Sequence, residues 1–255
     1  MTINESLLES VKEKLKTLRL KSCADIIPQI LEQAEKQNTS TLQVVERLLD
    51  LELEHRRQCR ILLKYKQSKL FEKPTIDQFD FHFHVSRMKQ KARILHLMDL
   101  VFIQQKKDII LIGHTGLGKS FLAKCIAYAA TQAGVGTLFT TAMDMINHLA
   151  AAEADHSLLK KLYLYQAPEV LVIDEVGYLP LGNQGSNLFF QVISARHEKK
   201  STVITTNLPF ADWGKIFDST TVATAIADRL VNNSEVIIFE GPSYRTRSKA
   251  KKLDD

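Results

Sequence analysis

Between the apolar run IILI and the helix-like run FLAKCIAYAATQ lies the stretch GHTGLGKS, in which Gly113, Gly116, Gly118, Lys119 and Ser120 satisfy the spacing GxxxxGK[ST]. Glycines at that spacing let the backbone curl until successive N–H groups point at one spot, and a helix beginning there adds the positive end of its dipole. Such a loop cradles phosphate. The spacing predicts a nucleotide site made of Gly113, His114, Thr115, Gly116, Leu117, Gly118, Lys119, Ser120 and Phe121. In it Lys119 reaches the β- and γ-phosphates of the nucleotide, and the Ser120 hydroxyl is a ligand for Mg²⁺.

Two further runs carry matching chemistry. VLVIDE ends an apolar strand in Asp174 and Glu175, and in a parallel sheet that end lies on the same edge as the phosphate loop. Asp174 is then placed to hold the Mg²⁺ shell, and Glu175 to orient and deprotonate an attacking water. TVITTN ends another strand in Asn207, a neutral amide able to position that water, although an Asn after a strand is also an ordinary turn residue. An acid beside the Mg²⁺ acid favours hydrolysis over phosphoryl transfer to a small acceptor, which needs an acceptor pocket and not a water-activating carboxylate.

These residues need a scaffold. From Asp108 onward short apolar runs (IILI, TLFTT, EVLVI, TVITT, EVIIF) alternate with helical stretches. Runs without polar alternation indicate strands buried on both faces, and intervening helices indicate parallel pairing. The expected fold class is α/β, a parallel sheet covered by helices. The first 70 residues read differently, as helices throughout, with Leu7, Leu8, Val11, Leu15 and Leu18 recurring at helical spacing. A second helix covers Cys23 to Gln37, bent or begun at Pro28, and Ser40 with Gln43 matches a capping box opening one long helix, TLQVVERLLDLELEHRRQCRILLKYKQ. FEKPTIDQFDF reads as a linker, which divides the chain into a helical domain, 1–73, and a second domain, 74–255.

Composition excludes some function classes. Apolar residues make up 45% of the 255 and charged ones 25%, and no stretch approaches the roughly 18 unbroken apolar residues of a membrane span. The start carries no secretory pattern, so a cytoplasmic protein is expected. Cys23, Cys59 and Cys125 are far apart, leaving no CxxC pair and predicting buried thiols. The net charge of +5 is unevenly spread: from His55 to Arg93 eleven Lys or Arg face three acids. A second cluster, Arg245, Arg247, Lys249, Lys251 and Lys252, closes the sequence. A polyanion-binding face needs such concentration, and a solvated helix face also produces it. His82 and His84 alternate without a third ligand, so no metal is assigned to them.

The phosphate loop, the acid pair and Asn207, in that order, resemble the AAA+ ATPases. The runs LRLKSCADIIPQILEQAEKQ, PTIDQFDF, LVIDEVGYLPL, TVITTNLPFADWGKIF, ADRL and GPSYR resemble more narrowly the IstB-type ATPases that assist DNA transposases. The DnaC and DnaI helicase loaders are close relatives, and a loader of that type is the alternative reading. The resemblance implies a homo-oligomer with ATP at its subunit interfaces, with Arg229 of ADRL reaching into the neighbour's site and acting beside Lys119, Glu175 and Asn207. A surface ion pair is the plainer reading of Arg229. The resemblance also implies duplex DNA as a largely sequence-independent partner, held by cations of the basic window (Arg56, Arg57, Arg60, Lys64, Lys66, Lys69), and a cognate transposase as a second partner. Arg196 and Arg245 are weaker candidates for interface or phosphate contacts. Phe79 and Phe81 are placed either near the adenine or in the core. Too little chain follows EVIIFEG for a helical lid, so no lid arginine is expected.

Overall fold

The computed structural model describes residues 5–246, so Arg247, Lys249, Lys251 and Lys252 lie outside the described residues. The chain forms two compact units, Met1–Leu63 and Lys64–Asp255.

The first unit contains α1 (Glu5–Thr17), α2 (Lys21–Gln37) and most of α3 (Thr41–Gln67). The apolar face of α2 supplies its core through Cys23, Ala24, Ile27 and Ile30. Leu8, Val11 and Leu15 of α1 are half-buried, whereas Leu7 and Leu18, at the margins of the same stripe, stay exposed. Pro28 is accommodated inside α2, and Asn38 ends that helix in the left-handed region at φ 51°. The capping box opens α3 as the sequence requires. Gln43 Oε1 accepts from the Ser40 N–H at 3.0 Å, and Ser40 Oγ accepts from the Gln43 N–H at 3.4 Å. Cys23 and Cys125 are buried, but Cys59 is exposed on α3, contrary to the expectation of three buried thiols.

The division between the units falls within α3, and the chain just after Leu63 packs within the second unit. Tyr65 lies edge-on to Tyr128 at 5.9 Å, the Phe139 N–H donates to the Ser68 carbonyl at 2.8 Å, and Leu70 is buried.

The second unit continues through two 3₁₀ turns, Ile76–Gln78 and Phe81–Phe83, into α4 (Val85–Met98) and the short α5 (Val101–Gln104). There follow β1 (Asp108–Gly113), α6 (Lys119–Gln132), β2 (Thr137–Thr141), α7 (Ala142–Ala154), α8 (Leu158–Gln166) and β3 (Val170–Val176). Then come α9 (Gly182–Arg196), β4 (Ser201–Thr206), a 3₁₀ segment Phe210–Lys215, α10 (Thr220–Asn232) and β5 (Ser234–Phe239). All five expected runs are strands, in one parallel sheet of order β2-β3-β4-β1-β5.

One face of the sheet packs against Met145, Leu149, Phe189, Trp213 and Ile226, the other against Ile94, Leu97, Leu122 and Ile126. Strands β1 and β4 are buried along their whole length, as expected of central strands. The edge strand β5 departs from that pattern, with Ile238 exposed. Among the described residues no helix is long and apolar enough to cross a membrane.

Arg196 is a correction to the sequence reading. It is 1% exposed and cannot meet nucleotide or a neighbouring copy. Its guanidinium instead donates to the carbonyls of Tyr165, Pro168 and Ser201, tying the end of α8 to the start of β4. Burial pulls its pKa down to about 10, opposed by the charges of Asp108 and Glu169. Carbonyls pointing at one cation satisfy the buried charge.

Candidate active site

Strand order determines which residues meet. β4 lies between β1 and β3, so the phosphate loop after β1 and the acids ending β3 flank Asn207, just beyond β4. The pairing Ile112 with Thr206, and Val176 with Thr206, puts all three ends at one sheet edge. A cavity of about 560 Å³ opens there, lined by Thr115, Gly116, Gly118, Lys119, Ser120, Phe121, Glu175 and Asn207 among others. That size is ordinary for a small-molecule site, which spans about 300–1,000 Å³.

The loop has the backbone its glycines were expected to allow. Gly116 and Gly118 have φ of 80° and 91°, a region costly for any side chain. A Cβ on Gly116 would lie 2.1 Å from Ser243 Oγ, and one on Gly118 would lie 2.9 Å from the Phe79 ring. Lys119 opens α6 and curls over the loop, donating to the carbonyls of Gly113 at 2.6 Å and His114 at 2.8 Å. Burial lowers its pKa, the carboxylates of Asp174 and Glu175 oppose that, and the charge of Arg245 adds to it. Arg245 also lines the cavity.

The acid pair is divided between two environments. Asp174 is 5% exposed and accepts a short hydrogen bond from Thr205 Oγ1, below the cavity wall rather than in it. Next to it the β3–β4 register slips between Ile173 and Val176 and Glu175 takes φ of 62°, which turns its carboxylate outward as the one exposed residue of β3. Non-glycine residues in that region carry strain on the order of 1–3 kcal/mol, retained where function needs the direction. Thr205 Oγ1 also accepts from the Glu175 N–H at 2.9 Å, so one hydroxyl orients both acids.

Sequence reading missed Thr205, since a threonine in a strand ordinarily signals only β-propensity. Thr205→Val keeps the shape and removes both bonds. Turnover is expected to fall about 10- to 100-fold in phosphate-release assays, the equivalent of one lost hydrogen bond to a charged group, with the protein still folded.

The cavity is also lined by Gln78, Phe79, Asp80, Arg87 and Tyr244. Phe79 lines the cavity and is also 5% exposed and packed in the core, 6.4 Å from the stacked ring of Phe121. Phe81 is core only. Arg87, one of the cations counted in the basic window, is 4% exposed, and burial lowers its pKa against the charge of Asp80. His84 is a helix cap, its Nδ1 accepting from the Ser86 N–H at 3.2 Å, and no group of three or more metal-ligating side chains occurs among the described residues.

Of the other cations, Arg56 pairs with Glu52 at 2.7 Å and Arg57 forks onto Glu54 at 2.7 and 2.9 Å. Arg60, Lys66 and Lys69 are exposed and Lys64 is half-buried. These six residues fall in both units, so the basic stretch is not one surface of one unit. Arg229 does not line the cavity. It sits on α10, its carbon 4.7 Å from the Phe190 ring centroid and Nη1 2.8 Å from the Ala225 carbonyl, beside an open hollow formed by Thr220, Thr221, Thr224 and Asp228.

Residues 13–252 match the model of the IstB-like ATP binding protein family. The protein named for ATP binding in insertion sequence IS5376 of Geobacillus stearothermophilus is 37% identical over 241 residues, 94% of this chain and 95% of that protein. Its counterpart in insertion sequence IS232 of Bacillus thuringiensis subsp. berliner is 32% identical over 247 residues, covering 97% and 98%. Among solved structures, the DnaC helicase loader superposes with a TM-score of 0.57 at 23% identity, over 65% of this chain and 96% of that one, a likeness of fold. The chain belongs to the IstB-like ATP binding protein family and is an ATPase of the AAA+ type.

Proposed function

We propose that the protein assembles with ATP into a homo-oligomer on duplex DNA and assists a cognate transposase, with hydrolysis releasing the assembly. The observation that carries this reading is a division of labour. Loop, Glu175 and Asn207 share one cavity, while Arg229 lines a separate hollow on α10 of the same copy. An arginine so placed completes a neighbour's site rather than its own, which couples turnover to assembly. Ser120 and Asp174 offer the hard oxygen donors that suit Mg²⁺, and when bound the ion neutralises phosphate charge. The transposition context is supported by relatives named for insertion sequences, alike over nearly their whole length.

In this scheme each copy adds a modest phosphate-binding affinity through exposed cations such as Arg60, Lys66 and Lys69, and assembly multiplies them. Sequence would be read weakly, because no base-reading motif accompanies the cations. Filter binding and sizing with duplex and single-stranded DNA, each with ATP, ADP or neither, tests the reading. Duplex binding should appear with ATP and fall about 10³–10⁵-fold between 50 and 200 mM salt if roughly 6–10 phosphates are contacted per assembly. A chain that stays monomeric and equally indifferent to DNA with or without ATP sinks the proposal. Preference for single strands and co-purification with a replicative helicase would instead support a loader.

A further inference from the structure

Arg87 is a buried cation that neither the phosphate loop nor the acid pair accounts for. Its two terminal nitrogens donate to different segments: Nη1 to the Asp80 carbonyl and Nη2 to the Leu117 carbonyl, each at 2.9 Å. Three aromatic rings surround the guanidinium, with its carbon 4.6 Å from the centroid of Phe79, 4.8 Å from that of Phe83 and 5.2 Å from that of Tyr244. Phe83 and Tyr244 also meet edge to face at 4.9 Å. Tyr244 in turn donates its N–H to the Gly116 carbonyl at 2.9 Å.

Three stretches distant in sequence, 79–83, 116–118 and 243–245, thus converge on one side chain. An apolar residue would fill this space at less desolvation cost, but only a planar fork can bond two carbonyls and lie against several rings at once. The Leu117 bond acts directly on the loop. In a trans peptide the N–H points opposite to the carbonyl, so drawing the Leu117 oxygen toward Arg87 directs the Gly118 N–H away from it. Gly116 and Gly118, both at positive φ, flank that peptide. Meanwhile Tyr244, held by Arg87 and Gly116, is joined to Arg245 in the cavity wall.

We propose that Arg87 is a positioning residue for ATP binding, holding the phosphate loop, the Phe79–Asp80 wall and the Tyr244–Arg245 segment in one arrangement so that ATP meets a preformed site. It acts on binding more than on the chemical step, since Glu175, Thr205 and Asn207 do not depend on it.

The test uses the full-length variants Arg87→Gln, Arg87→Lys and Tyr244→Leu. It measures the Kd of a fluorescent ATP analogue, KM and kcat for phosphate release, the Tm without nucleotide, and amide exchange at Gly118 and Tyr244. Arg87→Gln should raise Kd and KM by about tenfold or more while kcat stays within about threefold of the parent, the mark of lost preorganisation and intact chemistry. Its Gly118 and Tyr244 amides should exchange faster together. Arg87→Lys, which keeps the charge among the rings and loses the fork, should recover part of the affinity, and Tyr244→Leu should raise KM by a smaller factor at unchanged kcat. Unchanged Kd and KM in folded Arg87→Gln, or a loss confined to kcat, overturns the proposal. If Arg87→Gln does not fold, unchanged KM in both other variants overturns it equally.

Discussion

Glu175→Gln is expected to lower ATP turnover by about 10²–10⁴-fold while ATP affinity stays within about threefold of the parent, the range spanned by loss of a general base. The substitution is nearly isosteric and leaves the backbone N–H bonded to Thr205 Oγ1, so the φ of 62° that turns the side chain outward is retained. What disappears is a carboxylate able to accept a proton from water. Asp174 cannot take over, because it lies beneath the wall with its own oxygen engaged by Thr205. Phosphate release against ATP concentration, together with direct binding of a fluorescent analogue, separates the two effects. On the proposed function the variant should also form long-lived, ATP-dependent assemblies on duplex DNA, since binding persists and release is blocked. Turnover within about threefold of the parent would remove Glu175 from the chemistry and with it the hydrolytic assignment of the acid pair.

Much of this site was legible because its signals are local. GxxxxGK[ST] dictates a backbone, not only a composition, and the positive φ of Gly116 and Gly118 answers it directly. Three of the five apolar runs lead directly into residues that serve the cavity, so reading those strands also located their shared edge. The parts that escaped are those set by tertiary neighbours. Arg87 and Arg196 look in sequence like any surface cation, and only packing reveals that carbonyls and rings surround them. Thr205 gains its role from a register slip in the adjacent strand, which no pattern within TVITTN records. The division into units was blurred for a related reason. Tyr65, Ser68 and Leu70 follow a continuous helix, and their attachment to the sheet depends on partners at Tyr128 and Phe139, far along the chain.

Arg229→Ala is expected to reduce turnover by about 10³-fold or more, within the span attributed to an arginine that stabilises charge on a transferring phosphoryl group. A structural role alone could not produce that loss. The contact of Arg229 with the Phe190 ring is a half-buried cation–π pair, worth about 0.5–2 kcal/mol, and its removal should shift Tm by only a few degrees. Because the arginine lies outside its own copy's cavity, the decisive measurement is a mixture. Arg229→Ala copies keep an intact pocket and lack the arginine, whereas Glu175→Gln copies keep the arginine and lack the base. Mixed, some junctions pair a working pocket with a working arginine, and phosphate release should rise above that of either variant alone. Arg229→Lys should rescue poorly, since an ammonium offers a point charge where a rigid fork is needed. If the mixture stays as inactive as its parts while both variants remain folded and bind ATP, the arginine does not act across subunits, and turnover is not coupled to assembly through it.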